Sequence, residues 1–240
     1  MMLSSALIDI VRKLPCGLSH ARMGKRCFSQ EGEDMVLARV FENKSSGVYV
    51  DVGAHHPIRF SNTYMFYLRG WSGVNVDGMP GSMDVFRRMR PRDRNIEALI
   101  SSKPGALTYH LFNDPAMNTC DPQLARQRDG LANFRQTGAA IIKSHTLASI
   151  LEIHLGESRE IDFMSVDVEG MDLDVLQSNN WRKFRPTVIL AEDFGLPDLE
   201  ATLNTPTATF LAEHGYVLFA KTVNTLFFRQ NELGGTKHLA

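Results

Sequence analysis

One stretch constrains the fold of this chain more than any other: Val48-Tyr49-Val50-Asp51-Val52-Gly53-Ala54-His55-His56-Pro57. Val48, Tyr49, Val50 and Val52 form a β-branched and aromatic run between Gly47 and Pro57. Such a run reads as a buried strand leaving its sheet into a tight turn. Gly53 and Ala54 keep that turn small, so a ligand can approach the backbone closely. Asp51 falls at the carboxyl end of the strand, the side on which open α/β sheets bind ligands.

The rest of the chain alternates strand and helix patterns around that mouth. Residues 73–78 read as a second strand ending in Asp77 and Gly78, and residues 95–102 as a third. Residues 161–170 read as a fourth strand with its exit turn, and residues 187–193 as a fifth ending in acids. Helical patterns fall between them. Ser29 is expected to cap a helix with Glu31, Glu33 and Asp34 in its first turn, where acids suit the helix dipole. Ser61-Asn62-Thr63 signals a second start, and residues 80–89, 146–155 and 209–214 carry further apolar faces. Residues 106–112 alternate and suggest an extra antiparallel strand. Residues 113–143 are polar and the least regular, and read as a substrate-facing lid. Residues 215–220 and 225–229, joined by a short linker, are expected to pair as an antiparallel hairpin. The sum is an α/β sandwich on a mostly parallel sheet.

The length of 240 residues fits one domain, residues 28–240, preceded by a helical extension, residues 1–27. In that extension Leu3, Leu7, Ile10, Val11 and Leu14 share one helical face, as a docking helix does. Asp9, Arg12 and Lys13 interrupt its apolar pattern, so it is not expected to be a secretory signal. A formal net charge of -1 gives no general case for nucleic acid. No apolar run reaches the roughly 18 residues of a membrane span. Cys16, Cys27 and Cys120 form no metal-binding pair and cannot all pair with one another, so a reducing, cytoplasmic setting is expected.

The acids carry the chemistry. Asp77 ends the second strand 24 residues beyond Gly53, where Rossmann-like sites hold ribose hydroxyls with a carboxylate. Asp167 ends the fourth strand, and Glu192 and Asp193 end the fifth. Adjacent parallel strands would bring these three carboxylates together, a set of oxygen ligands suited to Mg²⁺. The alternative is that Glu192 and Asp193 only cap the next helix. Glu169, His55 and His56 are candidate general bases, with His110 and His145 further off. A His before Pro in a turn also has a purely structural reading. Gln30 either belongs to a capped helix start or stands over the ligand.

Several segments together resemble the FkbM family of S-adenosylmethionine-dependent methyltransferases. They are residues 28–34 (FSQEGED), residues 49–54 (YVDVGA), His56-Pro57, Ser61-Asn62-Thr63, residues 70–73 (GWSG) and residues 90–93 (RPRD). Residues 162–170 (DFMSVDVEG) and Gly215-Tyr216 complete the set. The resemblance implies the class I methyltransferase fold, a Rossmann-like three-layer sandwich with a seven-stranded sheet closed by the C-terminal hairpin. It implies that Asp51, Gly53 and Ala54 line the methionine part of the cofactor, with Gln30 and Asp167 as further cofactor-binding candidates. Asp77 and Gly78 are then placed at the ribose, and Asp93 and Ser101 near the adenine. The expected acceptor is a hydroxyl of a sugar, a polysaccharide or a glycosylated or polyketide metabolite, with Asp167, Glu169 and His56 as catalytic candidates. A nucleotide-cofactor oxidoreductase is disfavoured because no GxGxxG opens the first helix. A catalytically silent binding module is disfavoured because Asp51, Asp77, Asp167, Glu169 and Glu192 occur together.

Overall fold

The computed structural model describes residues 25–155, 160–193 and 198–231. The expected N-terminal helix lies outside these residues. In chain order the elements are α1 (Glu33–Val40), β1 (Val48–Val52), α2 (Tyr64–Leu68), β2 (Ser72–Asp77), α3 (Ser82–Met89), β3 (Arg94–Glu97) and β4 (Leu99–Ile100). Then follow β5 (Ala106–Phe112), a 3₁₀ turn (Pro115–Met117), α4 (Pro122–Arg128), β6 (Gln136–His145), α5 (Leu147–His154) and β7 (Phe163–Val166). The chain ends with α6 (Asp172–Gln177), β8 (Val188–Glu192), α7 (Leu199–Leu203), α8 (Pro206–Glu213), β9 (Tyr216–Lys221) and β10 (Thr225–Gln230).

Seven strands form one sheet in the order β3-β2-β1-β7-β8-β10-β9. The pairs β3–β2, β2–β1, β1–β7 and β7–β8 are parallel, and β10 runs antiparallel to both β8 and β9. This is the class I methyltransferase sandwich. Side chains on a strand alternate between the two faces, and the alternation builds two cores. Val50, Val52, Met164, Val166, Ile189 and Ala191 face one way, packed with Leu147 and Leu151 of α5 and Val175 and Leu176 of α6. Tyr49, Phe163, Val188, Leu190 and Phe227 face the other, against Leu37 of α1, Phe66 of α2 and Trp71. Helices cover both faces, which explains why β1 reads as a nearly unbroken apolar run.

The register sets where the site falls. Val52 pairs with Val76 and Val166, and Val166 pairs with Ala191. The next residue on each strand, namely Gly53, Asp77, Asp167 and Glu192, therefore leaves the sheet along one edge.

Three local expectations are corrected. The N-terminal position before α1 is held by Gly32, with φ 93°, rather than by Ser29. Ser29 still serves the helix start from a distance, its Oγ accepting from Asp34 N at 3.3 Å and donating to Asp34 Oδ1 at 2.9 Å. The third strand is two strands, because the chain crosses from the main sheet to a second one at Ala98, whose N–H is held by Asp77 O at 2.9 Å. Residues 113–143 are mostly regular. They contain the 3₁₀ turn, α4 and most of β6, which pairs antiparallel with β5 and parallel with β4. Backbone pairing holds this arm while much of β6 is exposed, Ile141 at 77%. No buried face therefore printed a period of two on its sequence. Among the described residues no helix is long and apolar enough to cross a membrane.

Candidate active site

The turn after β1 is fixed from two sides. Gly53 N and Ala54 N both donate to Val76 O, at 2.9 and 3.1 Å. Gly53 adopts φ 81°, and a Cβ there would stand 1.7 Å from the Asp167 carbonyl oxygen. Only glycine allows the β1 turn to lie against the exit of β7. Asp77 is 7% exposed. Its Oδ2 accepts from His55 N at 2.9 Å and its Oδ1 from Met79 N at 2.8 Å. The carboxylate is thus aimed before any ligand arrives, although burial raises its pKa.

A cleft opens above these residues. Gly53, Asp77 and Gly78 line its base, and Val76, Ala98, Leu99 and Ile100 form an apolar wall. Tyr109, Asn118 and Cys120 line it from the arm, and Gln30, Asp167 and Glu169 line it at the acidic end. An apolar wall beside an aimed carboxylate fits a nucleoside, whose base is flat and apolar and whose ribose donates from two hydroxyls.

Gln30 is presented by a clamped segment. Asp34 accepts from Phe28 N at 2.7 Å, and Glu33 accepts from Glu31 N at 2.9 Å. Glu31 accepts from Asn224 N and Nδ2 at 2.9 and 3.0 Å, and Glu33 from Thr222 Oγ1 at 3.1 Å. Residues 28–34 are therefore tied to the β9–β10 turn, which leaves Gln30 at the cleft.

At the acidic end, carboxylate oxygens of Asp167, Glu169 and Glu192 all lie within 4.8 Å of one another. Burial, the main cause, raises both Asp167 and Glu192, and the Asp167 charge helps push the Glu192 carboxyl up to about 11, so the pair retains a proton. Asp167 Oδ1 and Glu192 Oε2 are buried and have no hydrogen-bond partner. Asp172, 5% exposed, accepts from Glu192 N at 3.1 Å and adds a further buried acid. Burial and the Asp167 charge push the Glu169 carboxyl up to about 7, against the pull of Arg128, whose guanidinium bonds it. Arg128 comes from α4 and also donates to Met117 O at 3.0 Å. Glu169 has φ 56°, a conformation that non-glycine residues seldom adopt, and Thr119 Oγ1 holds its carbonyl at 2.7 Å.

Of the expected site residues, Gln30, Gly53, Asp77, Gly78, Asp167 and Glu169 line one cleft, and Glu192 adjoins Asp167. The others lie elsewhere, except His55. Asp51 sits beneath the turn, 5% exposed, accepting from Thr63 Oγ1 at 2.7 Å. Ala54 packs against Met83 and Phe86. Asp93, expected near adenine, is bound by Arg90 Nε at 2.8 Å, Tyr49 Oη at 2.8 Å and Gly73 N at 3.0 Å, deep in the sheet. Ser101 donates its N–H to His145 O at 2.9 Å between sheets. His56 Nδ1 accepts from Ile58 N and Arg59 N, at 3.1 and 3.0 Å, which makes it a turn former. His55 lines the cleft, but burial pushes its imidazole down to about 4. Asp193 stands outside the carboxylate group, its N–H on Asn224 O at 2.8 Å and Thr205 on its side chain. Glu169 takes the place expected of Asp193. Arg128, Tyr109, Asn118 and Cys120 were not anticipated. The one sequence signal for α4 was Asp121-Pro122, an N-cap followed by proline at the first helical position.

The fit to a cation rests on the donor set. Three carboxylates with two unpaired buried oxygens suit a hard divalent ion, which would relieve the repulsion among them.

No curated protein matches the sequence. A TehB-like SAM-dependent methyltransferase from Corynebacterium glutamicum is similar in structure, with 12% identity, a TM-score of 0.40, and 93% of this chain and 97% of that chain covered. An O-methyltransferase from Bacillus cereus in complex with SAH has 12% identity, a TM-score of 0.39, and coverage of 95% and 91%. Residues 51–218 match the family described as the Methyltransferase FkbM domain. The match runs from the end of β1 into β9 and takes in the glycine turn, Asp77 and all three clustered acids. The chain therefore belongs to the FkbM family of S-adenosylmethionine-dependent methyltransferases.

Proposed function

We propose that this methyltransferase acts on oxygen, transferring the methyl group to a hydroxyl of a sugar, a polysaccharide, or a glycosylated or polyketide metabolite. The observation that carries the reading is the group Asp167, Glu169 and Glu192, two of whose members line the acidic end of the cleft. The cofactor supplies a methyl carbon activated by its sulfonium. A hydroxyl attacks such a carbon only when its proton is being removed. Glu169, with a value of about 7, exchanges a proton near neutral pH. Arg128 holds that carboxylate in place while Asp167 and Glu192 keep a proton between them. Asp77 orients the ribose and the apolar wall excludes water from the base. With Mg²⁺ in place of that shared proton, Asp167, Glu169 and Glu192 would hold the ion, which would supply positive charge that acidifies a hydroxyl.

The test is calorimetric titration with S-adenosylhomocysteine, with and without Mg²⁺, followed by transfer of labelled methyl from S-adenosylmethionine to a panel of sugar and polyketide hydroxyls. Binding followed by alkali-stable label on a hydroxyl is expected. Label found only on nitrogen or sulfur acceptors would overturn the reading.

A further inference from the structure

Tyr109 belongs to the arm rather than to the main sheet, yet it lines the cleft that Asp77 also lines. Its surroundings are rigid. His110 and Thr119 exchange two backbone hydrogen bonds, at 2.9 and 3.2 Å. Asn118, 4% exposed, accepts from Phe112 N at 2.8 Å through Oδ1, which leaves its amide as the donor that faces the Tyr109 hydroxyl and lowers the phenol's pKa against the effect of burial. The phenol oxygen is therefore an acceptor towards Asn118, and no hydrogen bond among the described residues takes up the phenol proton. A phenol held in this way has one donor left for a ligand. Burial raises its pKa, with Asp77 as the next cause, so the donor stays protonated at any working pH.

We propose that Tyr109 is a cofactor-binding residue, its hydroxyl donating a hydrogen bond to the nucleoside part of S-adenosylmethionine on the side of the cleft that Asp77 occupies. The inference rests on the S-adenosylmethionine reading of the cleft and is independent of the acceptor.

Calorimetric titration of the full chain with S-adenosylhomocysteine and with methylthioadenosine, which lacks the amino-acid part, tests it. Tyr109→Phe keeps the ring and removes the donor; about tenfold weaker binding of both ligands is expected. Asn118→Asp keeps an oxygen for Phe112 N and offers the phenol proton a carboxylate instead, so a similar loss is expected. Urea midpoints of the free proteins show whether either variant has lost its fold. Tyr109→Phe within twofold of wild type overturns the proposal, and so does a loss seen with S-adenosylhomocysteine alone. Wild type that binds neither ligand removes the cofactor reading itself, a different result from an unaffected variant.

Discussion

A methyl group added at Gly53 has nowhere to go, because its carbon would overlap the carbonyl oxygen of Asp167. Backbone rather than a flexible side chain stands in the way, and φ is 81°. Gly53→Ala is expected to destabilise the fold by about 3 kcal/mol or more, since two causes of large losses coincide. Urea unfolding reads this directly, and a loss under about 1 kcal/mol would mean that the β1 and β7 exits separate easily. Glu169→Gln is a different kind of change. It keeps the size and one acceptor for Arg128 but removes the exchangeable proton. Methyl transfer is expected to fall about 100-fold or more while S-adenosylhomocysteine affinity stays within a few-fold. A collapse of affinity with retained turnover would make Glu169 a cofactor ligand and leave the base elsewhere.

The elements show which parts of the molecule were legible in sequence. Strands β1, β2, β7 and β8 are buried on both faces and betray themselves by apolar runs. Their carboxyl ends then supply Asp77, Asp167 and Glu192 from register alone. Strand β6 has no such signature because solvent covers much of it. Arg128 and Tyr109 were hidden for a related reason: each reaches the cleft from the arm, far along the chain from the main-sheet acid it stands beside, Arg128 from Glu169 and Tyr109 from Asp77. Asp93 misled because an acid near the third strand has a second use, neutralising the buried Arg90. The segment 28–34 shows an element acting through its tether. Glu31→Ala removes both bonds to Asn224 and frees Gln30 without touching the core. S-adenosylhomocysteine affinity is expected to drop several-fold while stability changes by about 1 kcal/mol. Unchanged affinity would assign that clamp to stability alone.

The whole molecule carries a net charge of -1, but its acids are unevenly placed, and several are buried near the sheet edge. That placement makes stability depend on pH. Burial, the largest cause, pushes the Asp51 carboxyl up to about 6 from 3.8, against the pull of Arg90 and the Thr63 hydroxyl. The native state then keeps this proton when the unfolded chain has released it. Stability from this group is full below the unfolded value and is lost as pH rises from 3.8 through about 6. His55 works in the opposite sense. Its imidazole, lowered to about 4 from 6.5 by burial and by Arg59, adds stability as pH rises across that interval. The two overlap, so the wild-type profile alone conceals both. Asp51→Asn separates them: the amide oxygen can still accept from Thr63 Oγ1, and nothing at that position titrates. Relative to wild type, the variant is expected to gain roughly 1 kcal/mol between pH 5 and pH 8, measured by urea unfolding at each pH. Parallel profiles for the two proteins would show that Asp51 is ionised throughout, with Arg90 outweighing the penalty of burial.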